Sequence, residues 1–95
     1  MKKLILTFRI EDIKEYGKKN NRESVVELDY DIQQVIIANK VKIEDVDGSN
    51  YSLDKKSCYQ LIFTIVDIIT EQRDNIIKKI EEKIKIHEIV IEGCC

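Results

Sequence analysis

The strongest alternation of apolar and polar positions lies in residues 53–84, LDKKSCYQLIFTIVDIITEQRDNIIKKIEEKI. Gln60, Thr64, Asp67, Glu71, Asp74, Lys78 and Glu81 recur at steps of three and four, which sets them on one face of a helix. Cys58, Leu61, Ile62, Ile65, Ile68, Ile69, Ile76 and Ile80 fall on the opposite side. A strand through LIFTIVDII would put Asp67 beside Phe63, Ile65 and Ile69. The pattern therefore predicts one long amphipathic helix despite its β-branched content. Ser52 is the expected N-cap, with Asp54 in the first turn. A continuous helix here spans about 46 Å, whereas a domain of this size is roughly 32 Å across. The helix must bend at the polar run 71–75, overhang, or reach into a partner.

The rest of the chain reads mostly as strands. In residues 3–10, Leu4, Leu6, Phe8 and Ile10 alternate onto one face, with Ile5 as a second apolar side. Residues 11–16 suit one or two helical turns stopped by Gly17, and 18–23 suit an exposed loop. Residues 24–32 show period two, with Val26, Leu28, Tyr30 and Ile32 inward and Glu27, Asp29 and Asp31 outward. Residues 34–46 continue in extended form, with Val35, Ile37, Val41 and Ile43 on one face and a bulge or turn at Asn39-Lys40. Asp47-Gly48 reads as a turn. Residues 84–93 close the chain as a strand that starts late or bulges, because apolar parity changes between Ile86 and Ile89.

The expected fold is a single α+β domain over residues 1–95. It has a small mixed or antiparallel sheet of about four strands packed on one long helix, and its order matches the βαββαβ of ferredoxin-like folds. A simpler sheet with one helix across it is the alternative. Fold order alone says little about function.

Composition narrows the chemistry. The chain of 95 residues is 36% charged and 43% hydrophobic, with no Trp or Pro, too apolar for a disordered chain. Its apolar runs are far too short to span a bilayer. The opening MKKLILTFRIED lacks a signal-peptide cleavage pattern and reads as the first strand of a cytoplasmic protein. Cys58, Cys94 and Cys95 form neither a disulfide framework nor a Cys-x-x-Cys pair, and His87 is the one histidine. The reading is accordingly no metal and no cofactor, with Cys58 a small buried hydrophobe. The segment 45–56 fails the calcium-loop pattern, having Gly48 at the fourth position and Lys56 at the twelfth. No nucleophile elbow, phosphate-binding loop or dinucleotide fingerprint occurs, so no catalytic residue is assigned and a non-enzyme is expected.

Charge changes the picture most. Residues 1–22 carry net +4, residues 23–54 net −6, and residues 55–95 net zero. The middle segment suggests an acidic protein-binding surface formed by Glu27, Asp29, Asp31, Glu44, Asp45 and Asp47, with Tyr51 as its aromatic anchor. Its expected partner is a protein with a basic surface, of the sort that otherwise holds nucleic acid. In size, composition and acidic character the chain is similar in profile to small phage or mobile-element inhibitors, such as anti-CRISPR and toxin-immunity proteins. That likeness is one of type, carried by no motif. An alternative is a nucleic-acid-binding or regulatory module that contacts phosphates through Lys14, Lys18, Lys19 and Arg22. A third is a self-associating subunit, a homodimer formed through Tyr59, Phe63, Ile76, Ile77, Ile80 and Ile84.

Overall fold

A computed structural model describes residues 1–20, 24–53 and 55–93. Among them the order is β1 (Lys2–Arg9), α1 (Ile10–Asn20), α2 (Ser24–Ala38), β2 (Ile43–Leu53), β3 (Lys56–Ile65), α3 (Thr70–Glu81) and β4 (Glu88–Gly93). The strands form one antiparallel four-stranded sheet in the order β2-β3-β1-β4. The fold is α+β, as expected, but the predicted succession is not met in full: among the described residues two helices stand between β1 and β2, and no helix of the expected length forms.

The first half of the expected long helix is strand β3. Leu61, Phe63 and Ile65 alternate inward at period two, and β3 is paired on both sides, to β1 and to β2. The objection that a strand would bury Asp67 fails because the strand ends at Ile65. Asp67 stands beyond it, where its carboxylate accepts from the Ile68 N–H at 2.8 Å and pairs with Lys2 Nζ at 2.9 Å. The two cross-strand neighbours decide between helical and extended periods here, since β-branched and aromatic side chains suit a paired strand. Ser52 lies in β2 and caps nothing, and Asp54 lies outside the described residues. The conflict of lengths resolves in the same way, because the molecule measures 36 × 27 × 20 Å and no element overruns it.

The converse error falls on residues 24–38. Leu28, Ile32 and Ile36 are buried at steps of four, with Val25 and Val35 packed beside them. That stripe is helical and competes in the sequence with the period-two set Val26, Leu28, Tyr30 and Ile32. Val26 and Tyr30 point to solvent instead of the core. The extended reading of 34–46 fails for the same reason up to Ala38, and β2 begins only at Ile43. Asn39-Lys40 does mark a turn: Lys40 has φ 65°, and its N–H donates to the Ile37 carbonyl at 2.9 Å.

Two further stop signals are overridden. Gly17 is buried inside α1, which continues to Asn20, so Lys18 and Lys19 occupy its last turn rather than a loop. There they complement the negative end of the helix dipole, as Glu11 and Asp12 do the positive end. Asp47-Gly48 is not a turn but the middle of β2. β4 does start late, at Glu88.

The core lies on one side of the sheet. Leu4, Leu6, Phe8, Leu61, Phe63 and Ile65 pack with Ile13 and Tyr16 of α1, the α2 stripe, and Ile76 and Ile80 of α3. No described helix is long and apolar enough to cross a membrane.

Candidate functional site

Because 24–38 is helical, the predicted acidic sheet face does not exist as drawn. On α2, Glu27 and Asp31 share one side at i, i+4, while Asp29 lies away from them. Asp31 accepts a hydrogen bond from the Tyr16 hydroxyl, which ties it to α1. Asp29 accepts from Gln33 Nε2 at 2.8 Å, one turn along the helix.

Asp29 of α2 and Asp47 of β2 nonetheless share one electrostatic neighbour, the Tyr59 hydroxyl. The Tyr59 phenol is held above its ordinary pKa, first by burial and then by the fields of Asp29 and Asp47. These two carboxylates, 18 positions apart in the chain, therefore act on one hydroxyl. Residues Gln33 and Ile37 of α2 face Ile43, Glu44, Asp45 and Val46 of β2 across an open groove of about 410 Å³.

Along the outer side of α2, Val26, Tyr30 and Ile37 are 72%, 56% and 51% exposed. At 100° per residue the three fall within a narrow arc. An apolar stripe with a tyrosine at its centre thus runs beside a margin bearing Asp29, Asp45 and Asp47. Tyr30, read from sequence as inward, is the exposed aromatic. Tyr51 stands in β2 opposite Cys58, and its side chain lies outside what the structure describes.

β2 is an edge strand, and its acids serve that edge. The Asp45 carboxylate accepts from the Val46 N–H at 2.9 Å, and Asp47 does the same for Gly48 at 2.9 Å. Glu44 occupies the irregularity in register between Ile43 and Asp45, with Lys42 Nζ 3.5 Å from its carboxylate. Bulges and charges of this kind hinder pairing with a further strand.

The other sequence candidates are dispersed. Phe63, Ile76, Ile80 and Ile84 are core residues, and Ile77 and Tyr59 pack against that core. As a set they present no face for self-association while the fold is intact. Lys14, Lys18 and Lys19 are exposed on α1, interleaved with carboxylates, and Lys18 lies 3.9 Å from Glu15. Arg22, Cys94 and Cys95 lie outside the described residues. Cys58 is buried. The His87 ring accepts at Nδ1 from Arg9 Nε at 3.3 Å, and the His87 backbone N–H donates to the Thr7 carbonyl at 2.8 Å. Among the described residues no three metal-ligating side chains gather. The chain matches no known family model and no curated protein.

Proposed function

We propose that the chain is a small non-catalytic protein-binding module of inhibitor type, which docks the α2–β2 margin onto a basic protein surface. The observation that carries this reading is the exposed Tyr30, flanked by Val26 and Ile37 and bordered by Asp29, Asp45 and Asp47. An aromatic anchor within an apolar strip supplies desolvation energy, and the surrounding carboxylates supply steering and register. Blocking a groove on the target requires no chemistry of the module itself, in keeping with an anti-defence or immunity role.

The test is affinity capture from the native cellular background. It uses the wild-type chain, Tyr30→Ala and the charge reversal Asp29→Lys/Asp47→Lys, followed by cross-linking of the captured partner. A salt-sensitive complex cross-linked at α2 and β2, and lost in both variants while each keeps its circular-dichroism spectrum, is the expected result. Unchanged capture by the variants overturns the reading.

A further inference from the structure

The side of the sheet away from the helices has its own design. Strand pairing aligns residues in rows, since directly opposed residues point the same way and successive residues alternate. The register sets Asp45, Thr64, Lys3 and Glu92 in one row across β2, β3, β1 and β4. The next row is Asp47, Ile62, Ile5 and Val90, and the third is Ser49, Gln60, Thr7 and Glu88. None of these residues belongs to the hydrophobic core.

Ile5, Ile62 and Val90 are only partly exposed, whereas Asp45, Asp47, Glu88 and Glu92 are open to solvent. Thr7 is buried, as is Cys58 at the Arg9 end of this face. The face therefore has an apolar and polar centre on β3 and β1, with the exposed Lys3 at one end of it and a pair of carboxylates along each margin. Three strand intervals separate β2 from β4, about 14 Å. An α-helix with its side chains is about 10–12 Å across, so it fits lengthwise between the two acidic margins.

We propose that this face docks an amphipathic helix whose apolar stripe is bordered on both sides by Lys or Arg. Its apolar residues lie over Ile5, Ile62 and Val90. Its basic side chains, with their long aliphatic stems, reach outward to Asp45 and Asp47 on one side and to Glu88 and Glu92 on the other. Charge selects this occupant over the others. Phosphate backbones meet four carboxylates against Lys3, Arg9 and Lys56, with Lys56 at the far end of β3 and Arg9 already within 3.8 Å of Glu11. A second copy laid face to face sets acidic margins against acidic margins. The surface shares the edge acids Asp45 and Asp47 with the α2–β2 margin, but its apolar centre and its Glu88/Glu92 margin lie away from the Tyr30 stripe on α2.

The probe is a synthetic helix-forming Leu/Lys peptide with leucines at i, i+3, i+4 and i+7. It is titrated into the isotopically labelled full chain and followed by amide chemical shifts. A Leu/Glu peptide of the same pattern and a scrambled Leu/Lys peptide are the controls. The expected result is saturable binding of the patterned Leu/Lys peptide alone, with the largest shifts at Ile5, Ile62, Val90, Glu88 and Glu92. Glu88→Lys/Glu92→Lys and, separately, Ile62→Thr each weaken it roughly tenfold with the native spectrum otherwise kept. Equal binding of the scrambled peptide, shifts centred on Tyr30 and Val26, or undiminished affinity in both folded variants overturns the proposal. Concentration-dependent shifts of this face without peptide, or saturable shifts there with a single-stranded oligonucleotide, also overturn it. Loss of partner capture by the Tyr30 variant leaves this result unaffected, so the two readings fail separately.

Discussion

Tyr59 lies so close over Gly48 that a Cβ at position 48 would stand 2.9 Å from the Tyr59 Cζ atom. The glycine that reads as half of a turn is a cleared space beneath an aromatic ring on the neighbouring strand. The hydroxyl of the same ring stands in the fields of Asp29 and Asp47.

Gly48→Ala should therefore destabilise the protein by about 1–3 kcal/mol through overpacking. Combining it with Tyr59→Ala should cost less than the sum of the single changes, because the clash vanishes with the ring. Urea unfolding of the four members of the cycle measures both. Additive costs would show that the ring and Gly48 do not interact.

The raised pKa of Tyr59 has a defined sign. The folded state holds this proton more tightly than the unfolded chain does, so the associated stability is intact below the ordinary tyrosine pKa of 10.0 and is lost as pH rises through the higher folded value. Tyr59→Phe should flatten the alkaline fall in thermal midpoint. Asp29→Asn or Asp47→Asn should move the tyrosinate absorbance transition of this residue back towards its usual range. An unaltered alkaline profile in Tyr59→Phe would rule out the assignment.

Asp67 has the opposite sign. Its carboxyl sits below the usual value chiefly because Lys2 hydrogen-bonds it, with the Ile68 N–H and the Lys2 charge adding to the effect. The associated stability is present above the ordinary carboxyl pKa and fades as pH falls through the lower folded value. Both side chains are substantially exposed, so the effect is small and sensitive to salt. Lys2→Met should shift the Asp67 carboxyl resonance in an NMR pH titration towards that of an unperturbed aspartate, and added salt should shift the wild-type resonance the same way.

Removing the caps from the β2 edge should expose it. In Asp45→Val/Asp47→Val the N–H groups of Val46 and Gly48 lose their acceptors on a strand with one neighbour. Open, uncharged edges pair with other chains. Sedimentation should show a higher average mass than the parent at the same concentration. No difference would mean that the bulge at Glu44 protects the edge unaided.

Truncations separate strand from helix in the disputed segments. Phe63→Ala should cost about 3–5 kcal/mol and Ile76→Ala about 2–5 kcal/mol, as buried large-to-small changes do. Val26→Ala and Tyr30→Ala should stay within about 0.5 kcal/mol, since both side chains point to solvent. A large cost at Val26 would restore the strand reading of 24–32.

Much of this molecule is legible residue by residue. β1, the late start of β4, the burial of Cys58 and the α+β class all follow from local alternation and composition. So does the concentration of acids in the middle of the chain. In two segments, however, the pattern admits both periods. SVVELDYDIQQVI satisfies period two through Val26 and Tyr30 and period 3.6 through Leu28, Ile32 and Ile36, and LIFTIVDII is ambiguous in the same way. The two readings err in opposite directions, so the number of strands survives while their residues change. The acidic surface shifts with them. Asp31 turns to Tyr16, Asp29 accepts from Gln33, and Tyr30 emerges.

Local sequence was thus enough for most of the buried Leu, Ile and Phe, because burying them is favourable whichever element carries them, but it placed inward Val26, Tyr30, Ile37 and Ile69, which are exposed. Which of them became strand depended on partners distant in the chain. β3 is extended because β1 and β2 supply hydrogen bonds and cross-strand contacts on both its edges. Residues 24–38 are helical because the sheet, once formed, offers a single covered face to the Leu28–Ile32–Ile36 stripe. The rows of Ile5, Ile62 and Val90 between acidic margins belong wholly to the tertiary structure, since they exist only through the register of four strands.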